Sequence, residues 1–236
     1  MVMIKKIYVL FFLFCVSSFS MAIELSPGKN FIHLKETVAD APKVVEFFSF
    51  YCPPCYGFAG QLKINKKITN ILPPNTKIEK YHVSSMGSMG RALTEAWSVA
   101  KVLGVESKVE LPLFEAVQLK KTIKSYEDIQ KVFLDAGVSS EDYNNAKKSF
   151  LVKTLTAKQE EMVRNFGVTS TPSYYVYGKY LILNSGIKSE SNDGYGSDFA
   201  EIVYRLLQKK ESLWVLSCRW CCQLTDLVYD GVFEVL

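Results

Sequence analysis

The stretch VVEFFSFYCPPCY, residues 44–56, contains the strongest fold signal in the chain. Its first half is β-branched and aromatic, which predicts a central, buried β-strand over 44–50. The strand is followed by Cys52-Pro53-Pro54-Cys55. Prolines are tolerated in a first helical turn because the N–H groups there have no intrahelical partner. We therefore predict that a helix begins at the cysteines and runs to about Asn65.

The position of Cys52 predicts that the cysteine pair is chemically active. A thiolate, and not a thiol, attacks a disulfide. The start of a helix offers free N–H groups and the positive end of the helix dipole, so a thiolate at Cys52 is favoured. Cys55 lies about one turn further on and can close or resolve a bond with Cys52. We predict that Cys52 is the exposed, attacking sulfur and that Cys55 is the more buried partner.

A structural disulfide and half of a zinc site are the alternatives for this pair. A zinc site needs further Cys or His ligands. The chain has two histidines, His33 and His82, and both fall in predicted strands without ligand-like spacing. Each is predicted to be an ordinary core or surface histidine, and no metal or cofactor is predicted. A structural disulfide rarely opens a helix directly after a buried strand, so a redox-active pair is favoured.

The first 22 residues are typical of a secretory signal peptide with cleavage near Ala22. Lys5-Lys6 precede an apolar run over 7–16, which is shorter than the about 20 residues that span a bilayer. An uncleaved anchor or a buried strand is the alternative. Export favours disulfide chemistry, because disulfides persist outside the cytosol. Cys15 would leave with the signal, and an odd number of cysteines would remain: Cys52, Cys55, Cys218, Cys221 and Cys222.

Composition is ordinary for a globular protein, with 48% hydrophobic and 22% charged residues among 236. The formal net charge is +4, and Lys5 and Lys6 contribute to it. The chain has no dense Lys/Arg patch, so a nucleic-acid partner is not predicted.

Periodicity along the chain predicts an α/β sheet split by a helical insertion. Strands are predicted at 30–34, 44–50 and 77–83, with a hairpin formed by 173–177 and 180–183. Helices are predicted at 91–103, 106–119, 126–136, 140–150, 154–166 and 198–207.

Glu46 lies inside the most apolar strand, where an unpaired charge is costly. It is either a buried acid near the cysteines, a partner for Lys80 in the neighbouring strand, or a solvent-facing residue at a strand edge. A buried carboxylate there could tune or accept the proton that moves during exchange. Pattern alone does not choose among these alternatives.

Thr171-Pro172 stands at the start of a predicted buried strand, an unusual place for proline. The bond is either cis or an ordinary trans bond that ends a loop. A cis bond would expose the backbone of Thr171 for pairing with an extended peptide.

The pattern resembles the DsbA family of periplasmic dithiol oxidases, over about residues 23–208 and including the helical insertion. Four runs carry the resemblance: EFFSFYCPPCY (46–56), KYHV (80–83), LTEAWSVAKVLGVESKVELPLFEAVQ (93–118) and YGKY (177–180).

The resemblance implies a thioredoxin-like fold interrupted by an all-helical insertion domain. The thioredoxin-like domain would comprise 23–84 and 162–210, and the insertion 85–161. The signal peptide at 1–22 precedes them, and a tail over 211–236 lies beyond the family pattern.

The resemblance also implies the roles of the site residues. Cys52 would be the nucleophile, Cys55 the resolving cysteine and Pro172 the cis-proline. Glu46 and Lys80 match the family's buried acid–lysine pair. The family donates its disulfide to unfolded exported proteins and is reoxidised by the inner-membrane quinone reductase DsbB. A periplasmic monomer without a cofactor is the expectation.

Two departures from the family pattern bear on redox behaviour. The common centre is CPHC, whereas Pro54 here has neither an imidazole nor an N–H, so at least one donor to a Cys52 thiolate is missing. Thr171 replaces an apolar residue before the proline. We predict that Pro53, Pro54 and Thr171 tune the centre and that this protein is a weaker oxidant than a CPHC relative. The CPPC centre suggests an accessory-type paralogue of the SrgA kind.

Other functions stay open. The chain could be a disulfide isomerase or reductase kept reduced in the periplasm, or a peptide-binding chaperone or assembly factor with idle cysteines. The tail contains Cys218-Arg219-Trp220-Cys221-Cys222, which no buried strand precedes. We predict that the tail is an appendage without catalytic function. The alternatives are a second redox or metal site and a fused or read-through coding end.

Overall fold

The computed structural model describes residues 25–209. The predicted signal peptide over 1–22 and the predicted tail over 211–236 lie outside these residues. Among the described helices, none combines the length and the apolar character needed to cross a membrane.

A mixed five-stranded sheet forms the centre of the described part of the chain, with the strand order β1-β5-β4-β2-β3. The central strand β2 is parallel to β3 and antiparallel to β4, and the β4-β5 and β5-β1 pairs are antiparallel. The strands are β1 (Phe31–His33), β2 (Val44–Phe48), β3 (Ile78–His82), β4 (Ser173–Val176) and β5 (Tyr180–Ile182).

The prediction that β2 is a central, buried strand is confirmed. All five of its residues are buried. Successive side chains point to opposite faces of a sheet. Phe47 accordingly packs in a cluster with Tyr81 and Phe166, whereas Phe48 packs in a different cluster that contains Cys52 and Cys55. The two-sided apolar pattern of 44–48 therefore places this strand between two packed layers.

Helices cover the sheet and fill the segment between β3 and β4. In that segment, which lies wholly within the described residues, the chain forms five α-helices and a π-helical turn and no strand. The prediction of a thioredoxin-like α/β fold interrupted by a helical insertion is confirmed. The helices are α1 (Pro53–Gly60), α2 (Ile64–Ile71), α3 (Gly90–Leu103), α4 (Glu106–Phe114), the π-helical turn (Glu115–Leu119), α5 (Tyr126–Asp135), α6 (Ser140–Lys148), α7 (Phe150–Asn165) and α8 (192–209, up to the last described residue).

The prediction of one helix from the cysteines to about Asn65 is wrong. The chain forms α1 and α2 instead, with a break at 61–63. Lys63 has a left-handed backbone with φ 50° and precedes the first residue of α2. A left-handed residue cannot continue a right-handed helix, so the chain changes direction there. The break places Asn65 on a separate helix, where it takes part in the site described below.

Two further helix starts differ from the predictions. Helix α7 begins at Phe150 and not at 154, because the Ser149 hydroxyl accepts the N–H of Val152 and caps the helix. Helix α8 begins at residue 192 and not at 198. The predicted domain boundary at 161/162 falls inside the continuous helix α7, and the division of the chain into domains stays a prediction.

The insertion helices pack directly against the cysteine-bearing end of β2. Phe48 lies edge-on to Trp97 of α3, with ring centroids 5.2 Å apart, and Phe50 lies edge-on to Phe114 of α4 at 4.9 Å. Buried aromatic pairs of this kind contribute about 0.5–1.5 kcal/mol beyond their buried area. This aromatic cluster holds the insertion against the junction where β2 gives way to α1.

Candidate active site

Cys52 and Cys55 form a disulfide at the start of α1. Cys52 is the N-cap residue with an extended backbone (φ −91°, ψ 110°), and Pro53 and Pro54 occupy the first helical turn. The backbone N–H of Cys55 points to Cys52 Sγ, with an N–S distance of 3.2 Å. The predicted strand–cysteine–helix arrangement is therefore present, and the donor that it offers to Cys52 is identified.

The prediction that Cys52 is the exposed sulfur is wrong. Its exposed fraction is 2% and that of Cys55 is 1%. Both residues belong to the cluster that contains Phe48 and Trp97. Exposure therefore does not distinguish the two sulfurs, whereas the N–H donated to Cys52 Sγ does, because it favours negative charge on that atom.

The backbone before Pro172 lies against the disulfide. Cys52 Sγ is 3.3 Å from the carbonyl oxygen of Thr171. A disulfide sulfur carries no hydrogen, so this is a van der Waals contact in the oxidised protein. The Thr171–Pro172 bond is cis, and the Thr171 hydroxyl donates to Met86 Sδ at 3.6 Å. The Thr171-Pro172 pair, predicted to belong to the site, is in contact with it.

Glu46 is buried in the central strand β2 and is paired with Lys80. Its side chain is 2% exposed, and its Oε2 atom lies 2.8 Å from Lys80 Nζ. The two residues stand opposite each other in the register of β2 and β3. Because β2 is a central strand, the alternative of a solvent-facing edge residue is excluded. The pairing is observed, and its part in the exchange reaction stays a prediction.

Three residues complete this charged cluster, and sequence reasoning missed all of them. Glu110 of α4 forms a second ion pair with Lys80. Asn65 of α2 donates to Glu46 Oε2 at 2.5 Å and accepts the hydroxyl of Tyr174 at 2.9 Å. Burial alone would lower the pKa of Lys80, but the two carboxylates outweigh it and hold that pKa above its ordinary value. Lys80 is therefore a cation at neutral pH.

His82 is a buried residue that hydrogen-bonds the backbone just before the cysteines. Its Nε2 atom accepts the N–H of Phe50 at 3.1 Å, and Nδ1 lies 2.8 Å from the hydroxyl oxygen of Thr94. Since Nε2 accepts, the ring proton is on Nδ1 and is donated to Thr94. Burial lowers the pKa of His82 to about 3, so the ring is neutral. Of the two predicted environments, core or surface, His82 occupies the core, and its contact with the backbone before Cys52 is new.

Within residues 25–209, no three His, Cys, Asp or Glu side chains are grouped so that they could hold a metal ion. The redox-active group that the described chain carries is the Cys52–Cys55 disulfide.

Fold and site together define a class of protein. A Cys-x-x-Cys pair that caps a helix after the central strand of this sheet, with a donor on the first sulfur, is a thioredoxin-fold centre for thiol–disulfide exchange. Comparison with known families supports the same class, because residues 43–190 match the DSBA-like thioredoxin domain.

Individual relatives agree with the family match. The thiol:disulfide interchange protein DsbA of Salmonella typhimurium is 47% identical over 189 residues, which are 80% of this chain and 91% of that protein. The structure of Proteus mirabilis DsbA with a non-covalently bound peptide, PWATCDS, matches with a TM-score of 0.77 at 40% identity, covering 79% of this chain and all of that chain. The structure of Salmonella enterica serovar Typhimurium SrgA matches with a TM-score of 0.71 at 39% identity, covering 75% and 98%.

The chain belongs to the DsbA-like thioredoxin family. It is a thiol:disulfide oxidoreductase with Cys52 and Cys55 as its disulfide pair.

The buried Glu46–Lys80 pair generates a stability prediction. We expect Lys80→Met to lower the free energy of unfolding by about 3–5 kcal/mol, because it leaves the buried Glu46 charge without a cation. The matched control is Lys101→Met, which breaks the Lys101–Glu79 pair (2.6 Å), whose acid is 38% exposed; a pair of that kind contributes about 1 kcal/mol or less. Urea unfolding of both variants measures the difference. Equal losses would contradict a buried-charge origin.

The neutral His82 ring generates a pH prediction. In the unfolded chain the ring takes up a proton below a pKa of about 6.5, but in the folded protein only near 3. The unfolded state therefore binds more protons between these values, and stability falls as the pH drops through this window, by about 1.4 kcal/mol per pH unit.

We expect His82→Gln, which keeps an acceptor for Phe50, to remove this contribution. The measurement is the free energy of unfolding at pH 6, 5 and 4, compared between wild type and variant. His33→Gln, at an exposed position in β1, serves as the control and is expected to leave the His82-dependent slope in place. A His82→Gln slope equal to that of the wild type would refute the assignment.

Proposed function

We propose that this protein is a periplasmic oxidase that donates its Cys52–Cys55 disulfide to folding exported proteins. The observation that carries the proposal is the Cys55 N–H donated to Cys52 Sγ at the start of α1. This donor stabilises a thiolate at Cys52, which makes Cys52 a good leaving group from a mixed disulfide and a nucleophile when the protein is reduced. Because the reduced form is stabilised, transfer of the disulfide to the client is favoured.

The reaction has two exchange steps. A client thiolate attacks Cys52 Sγ, the Cys52–Cys55 bond breaks, and Cys55 leaves as a thiolate that takes up a proton. A second client thiolate then attacks the client sulfur of the mixed disulfide, and Cys52 leaves as a thiolate. The client loses two electrons and two protons, and the cysteine pair gains the two electrons. Cys55 acts as the resolving cysteine when the mixed disulfide collapses in the opposite direction.

Thr171 and Pro172 are proposed to hold the client next to the disulfide. The Thr171 carbonyl is 3.3 Å from Cys52 Sγ, so an extended peptide that pairs with this backbone would bring its cysteine to the reacting sulfur. The Proteus mirabilis relative was solved with a cysteine-containing peptide, which supports peptide binding as the mode for this chain. The Thr171 hydroxyl is proposed to tune the release of the mixed disulfide.

Glu46 and Lys80 are proposed to tune the redox behaviour of the Cys52–Cys55 disulfide. Lys80 Nζ lies 4.6 Å from the ring centroid of Phe48, and Phe48 packs in the same cluster as both cysteines. The pair therefore borders the buried cluster that contains the disulfide, in a low-dielectric interior where charges act more strongly than in water. Its proposed role is to accept or return the proton that accompanies Cys55 between its thiolate and thiol forms.

Export by a signal peptide and reoxidation by a DsbB-like inner-membrane quinone reductase complete the proposal. Membership of the family supports both parts of the proposal, and the signal pattern of residues 1–22 supports export. A cycle of this kind requires a reoxidant, because each client disulfide leaves Cys52 and Cys55 reduced. The protein is proposed to act as a monomer, and the specialised SrgA-like role is proposed from the CPPC centre.

Trapping and redox state test the proposed function together. We expect Cys55→Ala to accumulate mixed disulfides with exported proteins through Cys52, since the resolving thiol is absent, and Cys52→Ala to accumulate none. In cells, alkylation of free thiols should find the Cys52–Cys55 pair mostly oxidised.

Different outcomes would support the alternatives. A pair that is mostly reduced in cells would favour an isomerase or reductase. A Cys52→Ala variant that still supports client folding would favour a chaperone with idle cysteines.

Pro54 is exposed beside the buried Cys52 and offers no donor to its sulfur, which generates a redox prediction. We expect Pro54→His to make the protein more oxidising. An added hydrogen bond to a charged thiolate contributes about 1.5 kcal/mol or more, which shifts the glutathione equilibrium roughly tenfold toward reduced protein. Pro54→Ala is the control that restores the N–H without the imidazole. Unchanged oxidising power in Pro54→His would sink the idea.

A further inference from the structure

Gln118 joins the helical insertion to the backbone that carries the reactive cysteine. It lies in the π-helical turn Glu115–Leu119 that follows α4. Its side-chain Nε2 donates to the carbonyl oxygen of Phe50 at 2.8 Å and to that of Cys52 at 3.0 Å. Both hydrogens of one amide group are thus directed at the last residues before α1.

The carbonyl of Cys52 is crowded with donors. Within α1 it accepts the N–H of Cys55 at 3.1 Å and that of Tyr56 at 3.3 Å, and Gln118 is a third donor. A carbonyl oxygen has two lone pairs. The Cys55 N–H is also only 3.2 Å from Cys52 Sγ. This single N–H is therefore shared between the oxygen and the sulfur of the same residue.

The two prolines make that shared donor unusually important. Normally the first N–H groups of a helix all point toward an anion at its start. Pro53 and Pro54 have no N–H, so the Cys55 N–H is the first backbone donor that α1 offers. Any group that takes over the bonding of the Cys52 carbonyl releases this N–H to the sulfur.

We propose that Gln118 is a positioning residue that satisfies the Cys52 carbonyl and so leaves the Cys55 N–H to the Cys52 thiolate, which raises the oxidising power of the centre. The proposal rests on the proposed role of Cys52 as the reactive sulfur. It requires no movement of the insertion, because the bonds are already present in the oxidised protein.

The π-helical turn explains how Gln118 reaches this position. Pro112 lies inside α4 and has no N–H for the carbonyl one turn earlier. After Pro112 the helix widens to the π form, and the extra residue per turn rotates the side chains that follow relative to a continuous α-helix. Gln118 is the residue that this rotation directs at the Cys52 carbonyl.

The test compares Gln118→Met, an unbranched side chain without donors, with wild type. One measurement is the pH dependence of Cys52 alkylation in the reduced full-length protein, followed for the Cys52 peptide by mass spectrometry. The other is the equilibrium with glutathione. We expect the Cys52 thiol pKa to rise and the equilibrium to shift roughly three- to tenfold toward oxidised protein, the size of one lost hydrogen bond.

A matched control and a stability measurement separate positioning from simple support. Glu115→Gln changes the same turn, but that side chain pairs with Lys120 at the surface, so both readouts should stay at wild-type values. If Gln118 has only a structural role, Gln118→Met will lower the unfolding temperatures of the oxidised and reduced protein equally and leave the equilibrium with glutathione unchanged. This outcome would overturn the proposal.

Failure of the proposed function gives a different result. If the Cys52 thiol of the wild type titrates like an ordinary cysteine, Cys52 is not the activated sulfur and the proposed function fails. If the pKa of the wild-type Cys52 thiol lies well below that of an ordinary cysteine and Gln118→Met does not change it, only the role of Gln118 is refuted.

Discussion

A buried carboxylate constrains how the layers of this protein come together. Glu46 lies in the central strand, and a charge in that position is tolerated only when it is paired and hydrogen-bonded. Its partners come from three other parts of the chain: Lys80 from the neighbouring strand, Asn65 from α2 and, through Lys80, Glu110 from the insertion. Strand register, the break before α2 and the seating of α4 must all be correct for these bonds to form. The cluster therefore makes the packing of sheet, helix layer and insertion mutually dependent.

The junction between β2 and α1, which carries the cysteines, also depends on bonds from distant parts of the chain. Prolines at the first two helical positions remove donors that most helices have, and bonds from distant residues replace their support. His82 accepts the N–H of Phe50, and Gln118 donates to the carbonyls of Phe50 and Cys52. The backbone just before the disulfide is thus held from the β3 side and from the insertion side. A reactive sulfur gains from such support because its surroundings need not reorganise when charge appears on it.

Local sequence patterns predicted the parts of the site that depend on neighbouring residues. The run over 44–50 indicated the central strand, and its junction with the cysteine pair indicated a capped helix. The pairing of Glu46 with Lys80 came from the family resemblance, because residue pattern alone left that acid with three possible environments. Glu110 had no signal at all: a glutamate on an amphipathic helix is ordinarily solvated. The exposure of Cys52 was predicted wrongly because the Thr171 carbonyl that contacts it lies 119 residues further along the chain.

The burial of both sulfurs has a consequence for which thiols can react. Exchange proceeds when the incoming sulfur approaches along the axis of the bond that breaks, and Cys52 is only 2% exposed. A cysteine fixed on the surface of a rigid globular protein brings its neighbouring atoms with it and collides with the walls of the site. A cysteine on an unfolded, extended segment can enter the site past Thr171 without such collisions. Under the proposed function, burial of both sulfurs would favour clients whose cysteines lie on unfolded segments.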